Sequence, residues 1–336
     1  MPDLLVTVVI PTLAADSRLS DCVESLGRQT RRDFEVIVVD NSGEGLVRRK
    51  GLASGARVIE NPRNAGFGAA VNQGWRASAA PCLATLNDDA VAHPGWLEAL
   101  LAVMERHPDA GMCASQVRLF GEDCLDSAGM LVARDGSSKQ RGHGKPPEDF
   151  PVTEETLFPS ASAALYRRAM LEELGGFDDS FFLYCEDTDL GLRARWAGWK
   201  CLYVPQAVVE HHYSHTAGRA SPLKAYYVER NRLFVLAKNF PAPMLPAPPF
   251  VALWRYLWHA WYILQGRGSA ARFRAEGHAG PKMIWYVIRA HAALLANAPR
   301  LWRQRREIRA RARITPAVFR HLIRCHSISA RKVAEL

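Results

Sequence analysis

Two short runs decide the fold: Leu4–Ile10 (LLVTVVI), closed by Pro11-Thr12, and Phe34–Val39 (FEVIVV), closed by Asp40-Asn41-Ser42-Gly43. Both are too short for a typical helix, and β-branched residues dominate them. Such runs read as strands buried on both faces, the signature of a parallel sheet. Between them Ser17–Thr30 has helical spacing, with Leu19, Cys22, Val23 and Leu26 on one face. The pattern continues outward. Ala56–Glu60 and Cys82–Leu86 read as strands, Gly66–Ser78 and His93–Arg106 as helices. Alternation of this kind implies parallel strands, right-handed crossovers and helices on both faces of the sheet. In such α/β folds ligands sit beyond the carboxyl ends of the strands. Three of those ends carry polar residues: Pro11-Thr12, Asp40-Asn41 and Asn87-Asp88-Asp89.

Further along, Gly111–Pro159 mixes short strands with a polar stretch, Gly136–Pro151, that reads as a mobile loop. Ala163–Tyr166 is strand-like. Arg168–Leu174 is a short helix ended by Gly175-Gly176, and Asp187–Ala197 a helix ended by Gly198. Lys200–Val204 and Ala207–Glu210 read as two strands. Near Ser221 the character changes. Leu223–Asn239 is helical, and prolines 241, 243, 246, 248 and 249 follow. Phe250–Leu264 is strongly aromatic, and Met283–Trp302 reads as one apolar helix. The expected organisation is an α/β domain over residues 1–220 and a helical, aromatic and basic region over 221–336.

Composition bounds the rest. Apolar residues make up 48% and charged residues 23% of 336, a globular profile. The net charge is +9, and from Pro299 onward ten Arg and one Lys face only Glu307 and Glu335. Such a tail suits a polyanion, or is a solvated charged helix. The seven cysteines contain no CxxC pair, so neither a disulfide framework nor a zinc site is expected, and a reducing compartment is. No secretory-type leader and no run of about 18 uncharged apolar residues is read in the sequence.

Four constellations carry chemistry. Asp88-Asp89 follow a buried strand, where carboxylates hold a divalent cation or simply make a turn. Glu186-Asp187-Thr188-Asp189 place three acids at a helix start behind an aromatic flank, Phe181-Phe182-Leu183-Tyr184. Helix capping explains one acid well and three poorly. His211-His212 end a strand, so at most one of them faces any given site. Asn61-Pro62-Arg63-Asn64-Ala65-Gly66-Phe67-Gly68 precede a helix, where glycines let backbone approach a phosphate or base, or form a plain turn.

Taken together, the ordered motifs VVIPT, VIVVDNSG, NPRNAGFG, NDD, GGFDDSFFLYCEDTDLGLR and VPQAVVEHH resemble the family-two inverting nucleotide-sugar glycosyltransferases of the GT-A fold. The likeness covers residues 4–215, and within the class it is nearest to rhamnosyltransferases of bacterial surface polysaccharides. It implies a Rossmann-like, mostly parallel sheet with a C-terminal helical extension. It implies that Pro11, Thr12 and Asp40 lie at the nucleoside, and Arg63, Asn64 and Gly66 near the base and ribose. Asn87-Asp88-Asp89 stand where the family carries its DxD motif. Asn at the first position is a departure, so Asp88 is assigned to the donor, and Asp89 with His211 to a Mg2+ or Mn2+ ion. Asp187 is the implied general base, supported by Glu186. Ser160-Ala161-Ser162 stand where relatives often carry glycine.

The implied activity is transfer of a single sugar from a nucleotide-sugar to a glycan or lipid-linked acceptor. The implied location is cytoplasmic, with the C-terminal helices resting on the inner face of the plasma membrane. Alternatively Trp254, Trp258 and Trp261 pack internally or against a second copy in a homodimer. Two rival functions are a non-catalytic nucleotide-sugar-binding protein and a processive polysaccharide synthase. The synthase should carry QxxRW, but here Leu192 precedes Arg195-Trp196 where Gln is required. Nucleic acid is not an expected partner, because no familiar recognition motif is present.

Overall fold

The computed structural model describes residues 4–14, 16–212, 222–268, 271 and 281–336. The expected domain boundary at 220–221 lies outside them. The chain forms two compact units. The first holds the described residues of Met1–Met130, Gln140–Phe182 and Trp199–Thr216; the second holds those of Leu131–Lys139, Leu183–Gly198 and Ala217–Leu336. The second unit therefore takes in two segments well upstream of the C-terminal helices.

The first unit begins β1 (Val6–Thr12), α1 (Arg18–Gly27), β2 (Phe34–Asp40), α2 (Leu46–Arg49), β3 (Arg57–Glu60), α3 (Phe67–Arg76) and β4 (Cys82–Leu86). Then come β5 (Ala90–Ala92), α4 (Trp96–Arg106), β6 (Ala110–Leu119), β7 (Leu125–Ser127), β8 (Met130–Val132), β9 (Ser138–Gln140), β10 (Glu154–Thr156) and β11 (Ala163–Arg167). They are followed by α5 (Arg168–Leu174), α6 (Glu186–Trp196) and β12 (Lys200–His211). The helices α7 (Pro222–Asn239), α8 (Pro248–Leu264), α9 (Pro281–Ala296), α10 (Ala298–Ala310), α11 (Pro316–Cys325) and α12 (Ala330–Glu335) complete the order. Of these, β8 and β9 straddle the division between units, and α6 and α7–α12 belong to the second.

The main sheet runs β10-β12-β6-β11-β4-β1-β2-β3. Strands β4, β1, β2 and β3 are parallel, as their buried β-branched runs require. Thr12 and Asp40 are register partners at one end of that block. Three features depart from the sequence expectation. Strand β11 inserts antiparallel between β4 and β6. The two expected strands after Lys200 are one, β12, parallel to β6, with a register shift between Val204 and Val208. Pro205 cannot donate to the ladder, so the strand bulges there and continues. The single apolar helix expected over Met283–Trp302 is two, broken at Asn297. Pro299 is tolerated in the first turn of a new helix but not inside a continuous one.

One core lies between the sheet and α1 and α4, built on Ile10, Leu86, Val204, Leu19, Leu26, Trp96 and Leu100. On α3, Gly74 meets β1 so closely that a Cβ would lie 2.5 Å from the Val9 methyls. The stretch expected as a mobile loop, Gly136–Pro151, contains β9 and a short 3-10 turn at Pro147–Asp149.

Within the second unit, α7 packs on α9 and α10, and α8 on α12. Part of the arginine run is internal to this unit. Arg305 and Arg309 donate to the Ala237 and Asn239 carbonyls at the C-terminus of α7, where the helix dipole favours cations. Arg309 also lies 3.6 Å over the Trp196 ring, and Trp196 stacks on Phe319. The Arg195-Trp196 pair is thus core: its residues are 3% and 1% exposed.

Candidate active site

The β-strand register explains the first cluster. Strand β5 follows the Asn87-Asp88-Asp89 turn and pairs antiparallel with the end of β12, setting Ala90 opposite His211. Asp89 and His211 are thereby neighbours: His211 Nε2 lies 3.2 Å from Asp89 Oδ1, and both residues are 6% exposed. Asn87 Nδ2 lies 3.1 Å from the same Nε2. The Asn87 backbone is fixed by Ser162, whose carbonyl accepts its N–H at 2.8 Å. His212 turns away and stacks on Phe120, as strand alternation demands.

On the β1 side, the Thr12 hydroxyl donates to Asp88 Oδ2 at 2.5 Å and accepts from the Ala14 N–H at 2.8 Å. Burial, the largest effect, raises the Asp88 pKa; the Thr12 bond opposes it, the Asp89 charge adds to it, and the result is about 6. Burial alone would lower His211, but its bonds to Asp126 and Asp89 and their charges raise it to about 10. Burial would raise Asp89 and Asp126, yet their bonds to histidine hold both below the usual carboxylate range. The two carboxylates favour the protonated ring, and a ligating histidine must be neutral, so cation binding here would have to release a proton.

Among the described residues no three His, Cys, Asp or Glu side chains converge as a metal-ligand set. The donors available are the Asp89 carboxylate and the His211 imidazole, with Asp88 adjoining. Two protein donors fit a hard cation that takes its remaining ligands from water and a diphosphate.

The other expected donor residues are placed differently from one another. Pro11 is buried within β1. Asp40 is fully buried, and its two oxygens accept from the Ser42 and Val47 N–H groups at 2.8 and 2.9 Å. Its carboxylate shapes the β2–α2 loop. Asn41 and Asn61, to which the sequence motifs assign no role of their own, bond side chain to side chain at 2.7 Å and join that loop to the one before α3. Arg63 and Asn64 are exposed there, and Asn64 Oδ1 accepts the Gly66 N–H at 2.8 Å. Gly66 has φ +89, and a Cβ on it would lie 2.4 Å from the Phe182 carbonyl. Close approach to another backbone segment explains this glycine.

The acids of α6 are best read within the second unit. Tyr184 and Cys185, just before the helix, have φ of 69 and 63. Left-handed backbone in such residues costs roughly 1–3 kcal/mol each and clusters at functional sites. Asn231 of α7, fully buried, holds the turn by donating to the Leu183 and Tyr184 carbonyls at 2.9 and 2.7 Å. The three acids then separate. Asp187, half-buried in the first turn, accepts the neighbouring Thr188 N–H at 2.6 Å, while the N-cap position, Cys185, makes no side-chain cap bond. Asp189 is fully buried among Arg193, Lys238 and Asn239. Glu186 is buried, and its Oε2 has no hydrogen-bond partner among the described residues. Burial, and then the Asp187 charge, raise the Glu186 pKa to about 8.

That shift has a sign. A folded-state pKa raised above the unfolded value stabilises the protein below about pH 4.5, and the stabilisation is lost as pH rises through about 8. Glu186→Gln is therefore expected to melt progressively higher than the wild type between about pH 5 and pH 9. A melting difference that does not change with pH would show that Glu186 does not titrate in this range.

A mostly parallel sheet whose carboxyl edge carries an Asn-Asp-Asp turn beside a buried histidine defines the class: this is a glycosyltransferase of the GT-A fold. The family model described as glycosyl transferase family 2 matches residues 7–175, and the chain belongs to that family. It is 31% identical over 254 residues to an N-acetylglucosaminyl-diphospho-decaprenol L-rhamnosyltransferase of Mycobacterium tuberculosis, covering 68% of this chain and 82% of the relative. It is 29% identical over 225 residues to the O-antigen biosynthesis protein RfbC of Myxococcus xanthus, covering 62% of this chain and 17% of that one. Among solved structures, GalNAc-T7 with UDP, GalNAc and Mn2+ gives a TM-score of 0.58 at 18% identity, covering 70% of this chain and 48% of its own. The mannosyltransferase PcManGT of Pyrobaculum calidifontis, with GDP-Man and Mn2+, gives 0.50 at 18% identity over 97% and 85%. These two likenesses establish the fold.

Proposed function

We propose that the chain moves one sugar, rhamnose, from a nucleotide-sugar to a hydroxyl of a lipid-linked glycan in bacterial surface polysaccharide synthesis, with inversion at the anomeric carbon. The observation that carries the reading is the Asp89–His211 pair at the carboxyl edge of the sheet, in a chain of this family. The rhamnosyltransferase relative supports the sugar and the lipid-linked acceptor. Asp89 and His211 would hold a Mg2+ or Mn2+ ion. When bound, the cation offsets charge on the diphosphate leaving group. Thr12 orients Asp88 toward the donor, and Asp40 builds the loop beside it. Arg63 and Asn64 offer polar side chains to the base and ribose. Asp187 removes the acceptor proton as the hydroxyl attacks, and Glu186 supports it. A single displacement follows, so no enzyme nucleophile is assigned.

The test is a panel of nucleotide-sugars, each incubated with Mn2+ or with chelator. Metal-dependent release of the nucleoside diphosphate from one donor is expected, and NMR of the transferred sugar should show the opposite anomeric configuration. Turnover that survives chelation overturns the metal assignment, and retained configuration overturns the single displacement.

The acceptor reading extends to a lipid surface on the cytoplasmic side. No described helix is long and apolar enough to cross a membrane. On α8, Phe250, Leu253, Trp254, Leu257, Trp261 and Leu264 lie on one exposed stripe, while Ala252, Arg255 and Tyr262 face inward. The outward pattern fits an interfacial helix better than internal packing. Wild-type protein is expected to float with anionic vesicles, and a Trp254→Ala/Leu257→Ala/Trp261→Ala variant to stay behind. If the wild type fails to float but sediments as a dimer, the stripe belongs to a second copy.

A further inference from the structure

Behind the Asp89–His211 pair stands a residue the sequence motifs did not reveal. Asp126 lies in β7, 2% exposed, and its Oδ2 is 2.9 Å from His211 Nδ1. Its other carboxylate oxygen lies 3.3 Å from His143 Nδ1 and accepts from Gln140 Nε2 at 3.5 Å. His143 Nδ1 is also 3.2 Å from the Asp126 carbonyl. The strand register explains why this carboxylate points inward. In the β6–β7 ladder Val117 pairs with Ser127 and Arg118 with Leu125, which leaves Asp126 as the extra residue of a bulge. A bulge re-aims one side chain without ending the strand, and such bulges recur beside active sites.

We infer that Asp126 is the positioning residue of the cation site, holding the His211 ring so that Nε2 faces Asp89. A carboxylate accepting the Nδ1–H fixes the tautomer in which Nε2 carries the lone pair, and raises its basicity as a ligand. The geometry fits that role on both sides of the ring, at 2.9 Å to Asp126 and 3.2 Å to Asp89. Asn87 touches the same Nε2 and is neutral, so the orienting charge comes from Asp126. His143 and Gln140 hold the carboxylate from behind. The inference rests on the proposed reading of Asp89 and His211 as cation ligands.

The experiment measures Mn2+ affinity by electron paramagnetic resonance, with UDP and dTDP each present, for the full chain and its variants. Asp126→Asn keeps the shape and removes the charge; Asp126→Ala removes the contact. Either is expected to weaken Mn2+ binding about 10–100-fold, the usual cost of losing such an outer partner. The nitrogen modulation that a bound imidazole gives in the Mn2+ spin-echo spectrum should weaken with it, a signal that a purely structural role would not move. In His211→Ala, adding Asp126→Asn should cost nothing further, because both act through one ring. Mn2+ affinity and nitrogen modulation unchanged in folded Asp126→Asn overturn the inference alone, as do fully additive losses in the double variant. Wild-type protein that takes up no Mn2+ overturns the cation reading and this inference with it.

Discussion

Asp187→Asn is expected to fold and melt like the wild type while turnover falls by about 10²–10⁴, the usual contribution of a positioned general base. The amide keeps an oxygen where the carboxylate accepts the Thr188 N–H, so that bond in the first turn of α6 is kept. What disappears is basicity. The neighbouring acids are poor candidates for the same role. Glu186 is held protonated near neutral pH by burial and by the Asp187 charge. Asp189 is committed to two cations and an amide in the interior. Asp187 alone of the three is half-buried, behind a turn whose left-handed residues are held by Asn231. The donor-side residues Asp88, Asp89 and His211 belong to the first unit, so nucleotide and Mn2+ binding should be unchanged. The assay is initial-rate transfer at saturating donor, with nucleotide affinity and melting temperature measured alongside. Near-normal transfer would remove Asp187 from the chemistry.

The local patterns that carried the fold were strong where burial is two-sided. Strands β1, β2 and β4 and helices α1, α3 and α4 lie within a few residues of their expected positions, because β-branched runs and 3.6-residue spacing are properties of short windows. Direction and partner are not. Nothing within Ala163–Arg167 says that it returns antiparallel between β4 and β6; that depends on the whole path of the chain. Strand β5 is three residues long, too short to show a period, yet it aligns His211 with the Asn-Asp-Asp turn. Of the site, the pairing of Asp89 with His211 was expected from family resemblance, and the adjacency is now visible in the register. Asp126 was illegible because it sits in a three-residue strand and points inward through a bulge. Asp40 illustrates the converse. The resemblance implies that it lies at the nucleoside, and the structure adds what no motif showed, that it is fully buried and its two oxygens hold the β2–α2 loop.

The largest effect on stability should come from Asp189, two positions from the proposed base. Its side chain is fully buried, with Arg193 Nε and Lys238 Nζ each 2.8 Å from Oδ2 and Asn239 Nδ2 2.9 Å from Oδ1. The Lys238 side chain is itself 1% exposed. Removing this acid breaks two buried ion pairs at once while both cations stay in the interior, and breaking a buried pair from one side typically costs about 3–5 kcal/mol. Asp189→Asn should therefore lower the urea-unfolding midpoint sharply, where Asp187→Asn leaves it in place. The cause can be separated from loss of shape. Adding Lys238→Met to Asp189→Asn removes one of the two buried cations at similar volume, so the double variant should regain part of the loss. If instead the two substitutions add, the cost lies in packing. If Asp189→Asn is as stable as the wild type, Asp189 is not the centre that holds Arg193 and Lys238, and the separation of the three acids into distinct roles fails with it.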